Sequence, residues 1–144
     1  MNTVWLLAAL VSPVEASAPA LEAKSVEAVI RSGMRFEGTP YRFGADVESS
    51  DAVDCSSLVL KAFKSVGLVL PRIAWRQALV GQLIGADQLR RGDRLYFKLT
   101  DRPVPIDHTA LYLGDGLMLH AWPATGVAVV PFADFRDWFR YARR

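Results

Sequence analysis

The chain has a single cysteine, Cys55, and only two histidines, His108 and His120. A thiol and an imidazole are the minimum set for acyl transfer by a sulfur nucleophile: the thiol attacks, and the imidazole takes its proton and returns it. Cys55 stands in the stretch DAVDCSSLVLKAF, where Leu58, Val59, Ala62, Phe63 and Val66 recur at helical spacing. It is therefore expected in the first turn of a helix. Amide N–H groups there lack intrahelical partners, and the helix dipole favours negative charge. Both effects are expected to lower the thiol pKa and supply thiolate. The alternative is a buried structural cysteine, the commoner fate of a lone one. The polar neighbours Asp54, Ser56 and Ser57, with an apolar face that begins only at Leu58, argue against it.

The histidines flank the turn Gly114-Asp115-Gly116. With a three-residue hairpin loop, Leu113 faces Leu117 and Ala110 lies opposite His120. His108 and His120 then form a diagonal cross-strand pair on one face of the sheet. A plain two-residue Asp-Gly turn would put the imidazoles on opposite faces, so a shared site requires the wider loop or an extra bulge. In that arrangement His108 is the base for Cys55, and His120 fixes its tautomer and orientation. A metal centre built from Asp107, His108, Asp115 and His120 is disfavoured: no H-x-x-x-H or H-E-x-x-H spacing exists, and Asp115 sits at a turn tip. No P-loop, G-x-G-x-x-G or EF-hand spacing is present, so neither metal nor cofactor is expected.

These residues need elements to hold them. A helix is expected over 21–32, with Gly33 as its stop, and another over 54–66, capped by Asp51 or Asp54 and closed by Gly67. A further helix is expected from Ala74 to Leu83. The Gly-, Pro- and Ser-rich stretch between the first two reads as an ordered loop, because Tyr41 and Phe43 are too apolar for a linker. From residue 94 the pattern changes to short β-rich runs: 94–99, 108–114, 117–122 and 126–132. A closing turn over ADFRDWF and a last strand in RYARR follow. Helices first and strands afterwards is the α+β order, with the cysteine-bearing helix packed on an antiparallel sheet.

The bulk numbers agree with one domain, over 20–144. The chain has 144 residues, 51% hydrophobic and 22% charged, enough for a core of its own. A net charge of +2 is too small to argue for nucleic acid, and no basic cluster is interleaved with aromatics. The Arg-rich end FRYARR reads as a solvated terminus. One cysteine allows no intramolecular disulfide. The apolar run Val4–Val11, followed by the small residues of VEASAPA, favours a removed export signal over residues 1–18, although no Lys or Arg precedes it. No stretch reaches the length of a membrane helix.

Five motifs now occur in order: TPYRFGA, DCSSLVLKAF, GLVLPR with Gln77 beyond it, LRRGDRLYF and DHTALYLGDGLMLHA. Together they resemble the NlpC family of bacterial cell-wall cysteine peptidases, a papain-like group, over roughly residues 22–143. The resemblance implies hydrolysis of peptidoglycan stem peptides, commonly between D-glutamate and a diamino acid, in the periplasm or outside the cell. It implies a Cys55–His108–His120 triad, with Tyr41, Asp54 and Ser56 as substrate contacts, Asp54 pairing with a free amino group. Ser57 stands where the family usually has Gly, Phe43-Gly44-Ala45 where it has Trp-Gly-Gly, and Thr109-Ala110 where it has Val-Gly. Specificity is expected to differ at Ser57 above all. Alternatives within the same resemblance are an N-acetylmuramoyl-L-alanine amidase, an effector or phage-associated wall hydrolase, and a non-catalytic wall-binding protein. A monomer is expected.

Overall fold

The computed structural model describes residues 23–49 and 51–144. The expected export signal and the beginning of the first helix at Leu21 lie outside the described residues. Helix α1, Ala23–Met34, buries Val29, Ile30 and Gly33. Gly33 is not the stop expected of it but a contact point inside the helix. A Cβ there would sit 3.1 Å from Leu119 Cδ2 and 3.3 Å from Leu111 Cδ2, so the missing side chain lets the helix lie close on the sheet.

Helix α2, Cys55–Lys64, starts where expected. Asp54 is its N-cap: the carboxylate accepts from Ser57 N, and Ser57 Oγ accepts from Asp54 N, a reciprocal capping box. Eight of its ten residues are buried, including Leu58, Val59, Ala62 and Phe63.

Helix α3 covers only Ala74–Gln77, not the expected 74–83, and Leu83–Ile84 form a short strand, β1. Arginines from the sheet explain the early end. Arg94 donates to the carbonyls of Gln77 and Val80, and Arg143 donates to those of Ala78 and Gly81. Those carbonyls would otherwise serve the helical ladder. Gly81 then takes φ +93 and turns the chain into β1.

The remaining strands are β2 (Arg94–Phe97), β3 (His108–Gly114), β4 (Leu117–Trp122), β5 (Gly126–Pro131) and β6 (Phe139–Arg143). They form a six-stranded antiparallel sheet in the order β1-β6-β2-β3-β4-β5. A 3-10 segment, Phe132–Trp138, links β5 to β6. The last strand expected in RYARR is β6, and the terminus expected to be solvated is only partly so. Arg144 forms a two-pronged ion pair with Asp93, and its backbone continues the β1–β6 pairing through Gln82.

Alternation along the strands separates two cores. One face presents Leu111, Leu119, Ala121 and Val127 to α1 and α2. The other presents Leu95, Phe97, Ala110 and Met118, with Phe132 and Phe135 packed over it. His108 and His120 share the face of Ala110 and Met118 by the two-residue period.

Candidate active site

The β3–β4 hairpin decides whether the histidines meet. Asp115 and Gly116 have φ +53 and +74, the signature of a two-residue type I′ turn. That turn alone would separate the imidazoles. Between Tyr112 and Gly114, however, the register shifts: Leu111 pairs with Leu119 and Tyr112 with Met118, while Gly114 pairs with Leu117. One extra residue on β3 restores the register of the wider loop, as the shared-face condition required. His108 Nε2 consequently lies 3.0 Å from His120 Nδ1.

An aromatic box holds both rings. His120 stacks parallel to Trp122, with centroids 6.0 Å apart and planes at 1°. Phe135 packs against both imidazoles, and Phe97 against His108. Trp122 and Phe135 carry no sequence signal that would have singled them out. Their apolar walls strip water from the histidines, and burial pushes His108 down to about 3 and His120 down to about 4. A proton on His120 would depress His108 further, while the Asp107 carboxylate acts the other way. Asp107 itself is held below the ordinary carboxylate range by amides of Leu99 and Thr100, the Thr100 hydroxyl and Lys98.

The candidate nucleophile comes from the helix side. Cys55 is 9% exposed at the first position of α2, and it lines one cleft of about 510 Å³ together with His108, Tyr41, Asp54, Ser56 and Trp122. His120 engages Nε2 of His108, so Nδ1 is the ring nitrogen that this contact leaves free. The expected drop in thiol pKa does not appear. Burial and the adjacent Asp54 charge push Cys55 up to about 11, outweighing the backbone amides of Thr109 and Ser56 that favour thiolate. The reason is quantitative: an end-of-helix amide field is a smaller effect than removing a charge from water.

Asp54 is engaged by protein. Oδ1 accepts from Ser57 N, Ser56 Oγ and Arg72 Nη1, and Oδ2 accepts from Arg72 Nη2 at 2.6 Å and Gly44 N at 3.0 Å. These donors hold Asp54 below the usual carboxylate range despite burial. Arg72 also reaches Ser56 Oγ and the Ala45 carbonyl. It was missed in the sequence because nothing local marks it: it lies 18 residues beyond its carboxylate.

Tyr41 is pinned beside this cluster. A bridge joins it to Val53, with Val53 N donating to Pro40 O and Arg42 N to Val53 O. Burial and the nearby Cys55 and Asp54 push its hydroxyl up to about 12, so it stays a hydrogen-bond donor. Ser57 is a correction. It is fully buried, its hydroxyl closes the capping box, and it is not part of the cleft wall. Thr109 and Ala110 are likewise buried in the sheet, Thr109 Oγ1 donating to Leu95 O. Of the departures from the family pattern, Phe43 is the one that faces the cleft.

The NlpC/P60 family profile matches residues 38–136, more than half the chain, and includes Tyr41, Asp54, Cys55, Arg72, His108 and His120. The chain belongs to the NlpC/P60 family. Among its relatives, the gamma-D-glutamyl-L-lysine dipeptidyl-peptidase of Bacillus subtilis is 36% identical over 73% of this chain. The peptidoglycan endopeptidase RipA of Mycobacterium tuberculosis is 37% identical over 72% of it. The chain spans only 34% and 23% of the lengths of these two proteins. The crystal structure of the peptidoglycan hydrolase RipB of Mycobacterium tuberculosis superimposes with a TM-score of 0.73 at 30% identity, covering 84% of this chain and 64% of that one. The α+β, papain-like arrangement expected from the sequence is thus the fold of this NlpC/P60 domain.

Proposed function

We propose that this NlpC/P60 domain is a cysteine endopeptidase of peptidoglycan stem peptides, cutting between D-glutamate and the diamino acid, outside the cytoplasm where that polymer lies. The observation that carries the reading is the 3.0 Å contact between His108 Nε2 and His120 Nδ1 in the cleft that also holds Cys55. The names of the relatives above supply the substrate class.

The chemistry follows from the atoms. Cys55 Sγ attacks the scissile carbonyl carbon while its proton passes to His108 Nδ1. The carbonyl oxygen becomes an oxyanion. Its donors are the Cys55 backbone N–H at the α2 start, which has no intrahelical partner, and the Tyr41 hydroxyl. His108 then gives the proton to the amine as the C–N bond breaks, leaving a thioester. Water attacks that thioester, again through His108, and restores the thiol. His120 holds the His108 ring in the tautomer and orientation this needs. Ser56 and Tyr41 contact the stem, while Asp54 acts through them: its charge is already balanced by Arg72, and it holds Ser56 and the helix cap in place.

Mass spectrometry of purified muropeptides tests the bond assignment. Cleavage after D-glutamate releases a fragment beginning with the diamino acid, whereas cleavage at the sugar–peptide junction would identify an amidase instead.

A further inference from the structure

The cleft carries a charge that the proposed chemistry does not use. Four formally charged residues line it: Asp54, Arg72, Arg102 and Asp107. Asp54 and Arg72 neutralise each other at 2.6 Å. Asp107 is buried and paired with Lys98. Arg102 is left over. Among the described residues, no carboxylate lies within ion-pair distance of its guanidinium, and no protein acceptor takes its side-chain N–H groups.

Arg102 is held without being satisfied. Its guanidinium lies over the ring of Phe43, 5.2 Å from the centroid, and Phe43 is itself 70% exposed at the cleft wall. A cation held over an aromatic face makes no hydrogen bond there, so the guanidinium N–H groups stay free to donate. The loop beneath it is fixed: Arg102 N donates to Thr100 Oγ1, which in turn donates to Asp107, the residue before His108. A planar fork of free donors, on a loop whose backbone is tied to Thr100, matches a carboxylate. Arg102 lines the same cleft as Tyr41, Cys55 and His108, and its charge acts on the Tyr41 hydroxyl.

We infer that Arg102, stacked on Phe43, is a specificity-determining residue that binds a free carboxylate of the substrate, so that the enzyme selects an acidic stem peptide over its amidated form. This rests on the peptidase reading and names the substrate feature the same cleft selects. Peptidoglycan stems exist in both chemistries, with the α-carboxyl of D-glutamate either free or converted to a carboxamide. The amide offers one carbonyl oxygen in place of the two anionic oxygens that accept from the fork, so the charge-assisted part of the contact is lost.

The test compares two synthetic peptides, L-Ala-γ-D-Glu-diaminopimelate-D-Ala with the D-glutamate α-carboxyl free and the same peptide with it amidated. Wild type is expected to prefer the acid at least about tenfold in kcat/KM, mainly through KM, as loss of a charge-assisted hydrogen bond implies. In Arg102→Gln the value for the acid falls toward that for the amide. Arg102→Lys keeps the charge without the fork and recovers part of the preference, and Arg102→Glu inverts it. A wild-type enzyme that cleaves both peptides equally, or an Arg102→Gln variant with an undiminished preference, overturns the inference and leaves the peptidase reading standing. Failure of wild type to cleave either peptide overturns both.

Discussion

Cys55 is buried beside the Asp54 carboxylate and its thiol is pushed up to about 11, while His108 is pushed down to about 3 by its aromatic surroundings. Each group alone is therefore neutral at pH 7. Charge is favourable only when both ionise together, each supplying the other's counter-charge. Replacing His108 by Gln keeps a partner for His120 but cannot accept the proton. Alkylation of Cys55 by iodoacetamide at pH 7 is then expected to slow at least about tenfold, one pKa unit's worth of thiolate. An unchanged alkylation rate would show that the imidazole does not assist the thiol. Cys55, His108 and His120 were legible in the sequence because their residue types are scarce. Arg72 and Arg102 were not, being two among 17 basic residues. What distinguishes them is a carboxylate partner 18 residues back in one case and an aromatic ring 59 residues back in the other, neither of which a local window contains.

Strands β3 and β4 begin and end where the alternation of apolar residues predicts, because Gly114 to Gly116 mark the turn and β-branched or aromatic runs mark its arms. Sequence periodicity could define the condition for a shared histidine face but could not choose between a wider loop and a bulge. The structure uses an Asp-Gly turn plus a bulge. Helix α3 is shorter than its sequence pattern predicts for a different reason: the carbonyls that end it accept from Arg94 and Arg143, residues that no local window contains. The loop bearing Tyr41 depends on a similar long-range contact, in which Gly38 N donates to Val127 O and Val127 N donates to Thr39 O. Gly126 permits it. Its φ is +69, and a Cβ there would fall 2.5 Å from Thr39 O. Gly126→Ala is therefore expected to lower stability by at least about 1 kcal/mol from the left-handed backbone alone. It should raise KM as Tyr41 shifts. Equal Tm values for Gly126→Ala and wild type would remove this anchor from the account.

Across the whole molecule, the two cores share one sheet, and the cleft lies where the start of α2 meets the start of β3. The site therefore exists only while both layers are assembled, and its buried histidines tie it to global stability. His108 and His120 have folded values of about 3 and about 4 against an ordinary 6.5, so between those values the unfolded chain binds protons that the folded one does not. Their contribution is complete above pH 6.5 and is lost as pH falls through the folded values, at up to about 1.4 kcal/mol per pH unit for each histidine. The lowered carboxyls of Asp54 and Asp107 add to the loss only below their unfolded value, about pH 4. Thermal unfolding should thus show Tm decreasing already between pH 6.5 and 4.5, less steeply in His120→Gln, and a flat Tm over that range would contradict the assignment of buried neutral histidines. The proposed cleavage of stem peptides depends on Cys55. Incubation of purified muropeptides with wild type and Cys55→Ala, read by mass spectrometry, tests it most directly. Wild type is expected to release a new fragment beginning with the diamino acid, and a folded Cys55→Ala protein to release none. Cleavage by Cys55→Ala at the wild-type rate would contradict it.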